Sequence, residues 1–233
     1  MKDKDWKNYS VEFISIFIAV ISAFALNNWN DNRKNSNAEQ KILFEIKNGL
    51  DKDFEDLELN TKGHKVGLKA CQFWRDVIQN NPVNIDSLNV TYIQLTRDFI
   101  SIQNNSGYET LKSRGLEIIK NDTLRSKIIS LYEYDYSILK KLEEEYEEMQ
   151  FHKNYYKEIS EILAPYLVFD NQGKLMDLDR PVQLSVADKN KLLSHFMKIE
   201  FNRNMILALY QKTELVLLNL KNQIESTLKE YEK

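Results

Sequence analysis

Hydrophobic positions divide the chain into two regimes. Phe13 to Leu26 is a run of 14 residues without a charge, whereas from Ala38 onward apolar residues recur at three- and four-residue steps. The second pattern is that of helices burying one stripe. The first run is roughly 21 Å long as a helix, against the ~30 Å of a bilayer core. Trp6 and Tyr9 precede it and Trp29 follows it. From Trp6 to Trp29 a helix measures about 35 Å, which matches two interfacial aromatic belts. The pattern predicts a tail over 1–10, a single transmembrane helix of about Val11–Trp29 within 11–30, a juxtamembrane linker over 31–37 and a helical domain over 38–233. A cleaved signal peptide is the main rival, because Ala23-Phe24-Ala25 fits a small-x-small cleavage site. Asp3 and Asp5 among the leading lysines argue against it, and a buried core helix is the third reading.

On a helical wheel the span has two unlike faces. Glu12, Ser15, Ala19, Ser22, Ala23 and Asn30 fall together, opposite Phe13, Phe17, Val20, Ile21 and Phe24. Ser15-x3-Ala19-x3-Ala23 is a small-residue stripe that lets helix backbones approach closely in lipid. Glu12 crowns it, and an acid at the edge of hydrocarbon prefers a polar partner or water. Either Glu12 snorkels above ordinary small residues, or the stripe is a self-association face. Flanking charge does not orient the span, since Lys2, Lys4 and Lys7 balance Arg33, Lys34 and Lys41.

In the domain, Ile42, Leu43, Ile46, Leu50, Phe54 and Leu57 form one amphipathic stripe. It extends through Cys71, Trp74 and Ile78 to Asn80-Asn81-Pro82, with Gly63 and Gly67 marking Thr61–Gly67 as the expected point of any break. A shorter helix follows over about Asp86–Ser101. Ser106 to Glu109 reads as a capping box and Gly115 as the stop of a brief helix. Asn121 or Asp122 starts a helix running to about Leu163, some 63 Å long. Residues 165–184 form an irregular stretch with a small hairpin or ordered loop around Asp170–Gly173. Ser185 caps a last helix to about Tyr231, with a weak point near Glu200–Asn204. The two long helices must run antiparallel, with the Ala38 helix and the short ones covering their open side. Leu215-Val-Leu-Leu218, apolar all round, is expected in the middle of the bundle.

Composition narrows the class. Six glycines and three prolines among 233 residues suit long helices and argue against a β-sandwich or a Pro/Gly-rich disordered chain. The hydrophobic fraction of 42% is too high for wholesale disorder. One cysteine excludes a disulfide framework, and a net charge of −3 gives no push toward nucleic acid. The fold class is therefore all-α: one transmembrane helix followed by an antiparallel bundle.

Candidate chemistry is sparse. The three histidines, His64, His152 and His195, share no metal or catalytic motif, and there is no Gly-rich phosphate loop or nucleophile elbow. Glu145, Glu148 and His152 stack at i, i+3 and i+7, which is either half of a bundle metal site or a solvated charged face. Cys71 reads as a small buried hydrophobe, and Arg203, interrupting an apolar stripe, as a side chain that snorkels or pairs locally. No cofactor is implied.

Two blocks carry a resemblance. Glu12, the apolar run and Asn27-Asn28-Trp29-Asn30-Asp31-Asn32-Arg33-Lys34 resemble the membrane entry of a Bacteroidota family of uncharacterised single-pass membrane proteins. Asn105-Ser-Gly-Tyr-Glu-Thr-Leu-Lys-Ser-Arg-Gly-Leu-Glu-Ile-Ile with Asn121-Asp-Thr-Leu-Arg-Ser-Lys-Ile-Ile-Ser-Leu-Tyr-Glu133 is similar to its central segment. The resemblance implies an inner-membrane protein with its domain on the periplasmic side, and no reaction. The ten-residue tail here is shorter and less basic than is usual in that family. Tyr108, Glu109, Lys112, Arg114 and Glu117 put mixed charge beside a capped helix and are the candidate partner-binding surface. The expected function is a membrane-anchored interaction or sensory module, self-associating, whose partners are the bilayer, a second copy and another protein. The alternatives are an oligomeric membrane effector and an enzyme with a non-obvious site.

Overall fold

Helix α1 runs unbroken over Lys2–Ile78, 77 residues of the computed structural model, which describes residues 2–231 and their side chains from Tyr9 onward. Its N-terminal part is long and apolar enough to cross a membrane, and none of its most apolar window is covered by the rest of the described chain. Trp6, Asp3, Asp5 and the three leading lysines lie outside the described side chains. Residues 31–37, expected as a linker, are helical, so nothing interrupts the backbone between the apolar segment and the domain.

The rest of the chain is all-α with one minor hairpin. Helices α2 (Leu88–Leu95), α3 (Ser106–Arg114) and α4 (Asp122–Ser130) are short. Widened π turns flank the single-turn α5 (Tyr136–Lys140), and α6 spans Phe151–Leu163. Strands β1 (Leu167–Phe169) and β2 (Leu175–Leu178) pair antiparallel before α7 (Val186–Glu230).

The organising pair is α1 with α7, not the 121–163 segment with α7. Three contacts fix their antiparallel register. Tyr231 donates to Glu39 at 2.5 Å, Lys221 meets Asp51 at 2.5 Å, and Arg75 holds Glu200 through two bonds of 2.6 and 2.8 Å. Ile42, Leu43, Ile46 and Leu50 of α1 and Ile206, Tyr210, Leu217 and Ile224 of α7 are all but fully buried in one core. The short helices close that core on one side only.

Local signals hold at several ends. Asn121 accepts from Leu124 N–H at 3.0 Å, Ser185 accepts from Asp188 N–H at 3.0 Å, and Gly115 stops α3 with φ of 101°. The helix expected over Asp86–Ser101 ends at Leu95. The capping box does not form: Ser106 lies inside α3, Asn105 precedes it, and Ser106 Oγ donates to Asn104 instead. The long helix expected to Leu163 is interrupted, because Tyr146 is extended and Gln150 leaves the helical region. No breaker residue stands there. Tertiary partners hold the interruption, with Asn202 donating to Glu148 O at 3.0 Å and Gln150 to Glu143 O at 2.7 Å. The last helix has no break near Glu200–Asn204. Leu215 and Leu218 face outward, and of that quartet only Leu217 is fully buried.

Neither Gly63 nor Gly67 breaks α1. They are sites of close approach: a Cβ on Gly63 would stand 2.3 Å from the Phe99 ring, and one on Gly67 2.4 Å from the Arg203 guanidinium carbon. Gly67→Ala and Gly63→Ala each lower the melting temperature followed by circular dichroism. Alanine's helix-propensity gain of about 1 kcal/mol is outweighed by an overpacking cost of about 1–3 kcal/mol. A rise in either melting temperature would contradict the close approach.

Candidate functional site

The most elaborate polar arrangement lies where α1, α2, α6 and α7 meet. Arg203, expected to snorkel or pair locally, is fully buried at the centre of α7. Its Nη2 donates to the carbonyls of Gln94, Leu95 and Arg97 at 3.2, 3.2 and 2.9 Å. These are the orphan acceptors at the end of α2, where the helix dipole also favours a cation. The guanidinium lies 4.5 Å from the Phe151 ring centre and 5.6 Å from that of Phe99. Burial lowers its pKa to about 10, so it stays charged at neutral pH.

His64 completes the knot. Its Nδ1 lies 3.1 Å from Arg203 Nη1 and can only accept there, which puts the imidazole proton on Nε2. Burial, reinforced by the Arg203 charge, depresses the His64 pKa to about 3. Asp98 receives Phe151 N–H at 2.7 Å, thereby capping α6, and its charge is felt by Arg203. Beside it opens a cleft of about 470 Å³ lined by Tyr92, Ile93, Thr96, Arg97, His152 and Tyr156.

Three buried carboxylates repeat one arrangement, each clamping a loop amide and a tyrosine hydroxyl. Glu39 takes Lys120 N–H at 2.9 Å and Tyr231; Asp53 takes Asn104 N–H at 2.6 Å and Tyr136; Glu143 takes Ser101 N–H at 3.0 Å and Tyr210. Burial pushes the Asp53 carboxyl up to about 6, against the opposing pull of Tyr136 and Asn104, and raises Glu143 for the same reason. Cys71 is buried as expected, and burial pushes its thiol up to about 12, far from a reactive thiolate. Chemically these groups hold backbone and charge in place. None is an activated nucleophile with a base in reach.

The residues singled out in the sequence are distributed as follows. Glu12, Ala19, Ser22 and Ala23 stand exposed along α1, while Ser15 Oγ donates back to Val11 O at 2.8 Å. Glu145, Glu148 and His152 do not share a helix face, since the break at Tyr146–Gln150 puts them on three separate turns. No metal-holding group of three forms among the described residues. The central segment divides in two. Tyr108 is buried, stacks on Tyr132 at 4.5 Å and donates to Glu133, while Lys112 bridges Glu109 at 2.7 Å and Glu133 at 3.7 Å. Arg114 and Glu117 line a separate hollow of about 280 Å³ with Asn32, Asn35 and Lys120, and Glu117 pairs with Arg125. His64, Asp53, Asp98 and Glu143 escaped the sequence reading. Their one signal was polar residues on or beside apolar stripes.

Compared with known protein families, curated proteins and solved structures, the chain matches none.

Removing the knot's cation tests its structural weight. Arg203→Met leaves three carbonyls without their donor and lowers unfolding free energy by about 3 kcal/mol or more. Arg203→Lys recovers only part, because a point ammonium cannot replace the flat fork between two rings. Denaturant titration reads both.

Asp53 gives a pH prediction with a definite sign. Its folded pKa of about 6 lies above the ordinary 3.8, so its contribution is full below pH 3.8 and is lost as pH rises toward 6. Asp53→Asn therefore removes a fall in stability between pH 4 and 6. Parallel slopes for both proteins across that window would refute the assignment.

Proposed function

We propose that the chain is a membrane-anchored helical interaction module that self-associates and couples its domain to a transmembrane span. The observation that carries this reading is α1: one helix whose apolar N-terminal part is covered by nothing, and which continues unbroken into the core of the domain. A soluble core helix of that composition would be buried, because exposing so continuous an apolar surface to water is unfavourable. A bilayer supplies the missing cover.

Self-association follows from the sidedness of α1. Projected at ~100° per residue, Ser15, Ala19 and Ala23 fall on the side of Phe44, Glu55, Lys62 and Val66. That is the side which α7 and the short helices leave open, with Phe44, Glu55 and Lys62 exposed. A second copy meeting the small-residue stripe in lipid would thus find no described element of the domain in its way. Glu12, at the head of the stripe, would lie near its counterpart or in the headgroup region. The bacterial inner membrane is the expected site, and the domain's side is read by a reporter fused after Lys233.

The full chain is expected to stay with membranes through alkaline carbonate extraction, and Ala19→Leu to lower its oligomeric fraction in mild detergent. Release by carbonate would sink the anchor, and an unchanged oligomer in Ala19→Leu would sink the stripe as its interface.

A further inference from the structure

The outward face of α7 differs from the charged outer face of α1. Ser194, Phe201, Ala208, Leu215 and Asn222 recur every seven residues, and Asn190, Met197, Asn204, Gln211 and Leu218 lie four before each of them. All ten positions are exposed and none is charged, in a chain with 29% charged residues. The solvent face of α1 shows the ordinary alternative, with Lys41, Lys52, Glu55, Glu58, Lys62 and Lys69 along it. Alternating three- and four-residue spacing over 190–222, about 48 Å of helix, is the spacing of a coiled-coil seam, here with Met197, Phe201, Ala208, Leu215 and Leu218 as its apolar positions. Phe201 is 68% exposed and Leu215 58%, so the seam's largest apolar groups have no cover within the chain.

We infer that this seam is where a second copy of the chain docks, α7 against α7, in parallel. Charge bears on the sense, and the layers on the partner. One flank of the seam carries Lys191, Lys198 and Lys212, and the other carries Glu200, Glu214 and Lys221 among Val186, Leu193 and Leu207; Lys191, Glu200 and Lys221 already pair with Glu158, Arg75 and Asp51. In a parallel pair each flank residue meets the opposite flank of the other copy five positions along the chain. The lysines then fall against Val186, Leu193, Leu207 and Ser226, and the glutamates against Met205 and Asn219, so no like charges meet. Reversing one helix sets lysine flank against lysine flank, Lys198 toward Lys212, which is repulsive.

Self-pairing also matches the layers. Phe201 meets Phe201 and Leu215 meets Leu215, while the amides of Asn204 and Asn222 each meet an identical amide that can both donate and accept. Polar layers of this kind fix register. The ten seam positions and the ten flanking them approach the roughly 20–30 residues a side of a stable interface. The inference rests on the proposed anchor in one respect: two copies held in one bilayer share an orientation, as the parallel pairing requires.

Single cysteines introduced into the full chain, with Cys71 replaced by alanine, test the seam in native membranes under mild oxidation. Phe201→Cys and Leu215→Cys are expected to yield disulfide-linked dimers, and Lys157→Cys, exposed on α6 outside the seam, to remain monomeric. Adding Leu218→Glu to the Phe201→Cys chain leaves the helical signal unchanged and lowers dimer formation by about tenfold or more. Seam cysteines that stay monomeric in carbonate-resistant protein overturn the inference and leave the anchor standing. Seam dimers in carbonate-released protein overturn the anchor and leave the seam standing. Cross-linking to a chain of different mass, or equal cross-linking from Lys157→Cys, also overturns it.

Discussion

Burying the guanidinium of Arg203 costs several kcal/mol before anything is recovered, and much of the domain's irregularity is what recovers it. Three carbonyl acceptors must converge on one Nη2, so α2 ends where Gln94, Leu95 and Arg97 present theirs. A flat cation needs flat cover, so Phe151 and Phe99 come within reach of it. Phe151 is the first residue of a new helix, which is possible because the preceding chain leaves helical geometry at Tyr146–Gln150. On the α1 side only a hydrogen fits, so glycine stands at 63 and 67 despite its cost inside a helix. Asn202, the neighbour of Arg203, pins Glu148 of the interrupted segment. One residue at the middle of α7 thus sets where three other elements start, stop or thin out.

The carboxylate clamps solve a different problem. Residues 99–105 have no regular structure, yet they lie against the helical core, where unpaired amides are costly. Glu143 takes the amide of Ser101, Asp56 that of Ile102 at 2.8 Å, and Asp53 that of Asn104. Acidic side chains of neighbouring elements therefore do for this loop what a ladder does for a strand. Tyrosine hydroxyls from α5 and α7 complete the set at Asp53 and Glu143, so the same carboxylates also stitch helices together. The cost is a raised carboxyl pKa, hence a domain whose stability carries a pH dependence from its interior and not only from its surface.

What the sequence disclosed follows the range of each interaction. Caps at Asn121 and Ser185 and the stop at Gly115 were legible because their partners lie within a few residues. The capping box at Ser106 misled for the same reason in reverse: the local pattern fits, but Asn104 takes the hydroxyl and the helix starts one residue early. Gly63 and Gly67 look locally like a weak point, and their purpose appears only with distant partners, Phe99 for Gly63 and Arg203 for Gly67. The interruption at Tyr146–Gln150 contains no proline or glycine, so nothing nearby announces it. Leu215-Val-Leu-Leu218 reads as interior by hydropathy alone. The periodicity of the whole helix places Leu215 and Leu218 on the outer side, where they are exposed.

The bracing of α1 limits what kind of signal the domain can pass. Glu39 at its base is tied to Tyr231 and Lys120, Asp51 midway to Lys221, and Arg75 near its far end to Glu200. Turning or sliding α1 within the domain would break all of these together and drag Gly67 off the guanidinium, a cost far above a few kcal/mol. Tilting or re-pairing whole domains breaks none of them. Under the proposed anchored and self-associating reading, events at the domain would reach the span as changes in how copies lean on and pair with one another. The soft coordinate of this molecule is then the face of the α1–α7 pair that no other element covers.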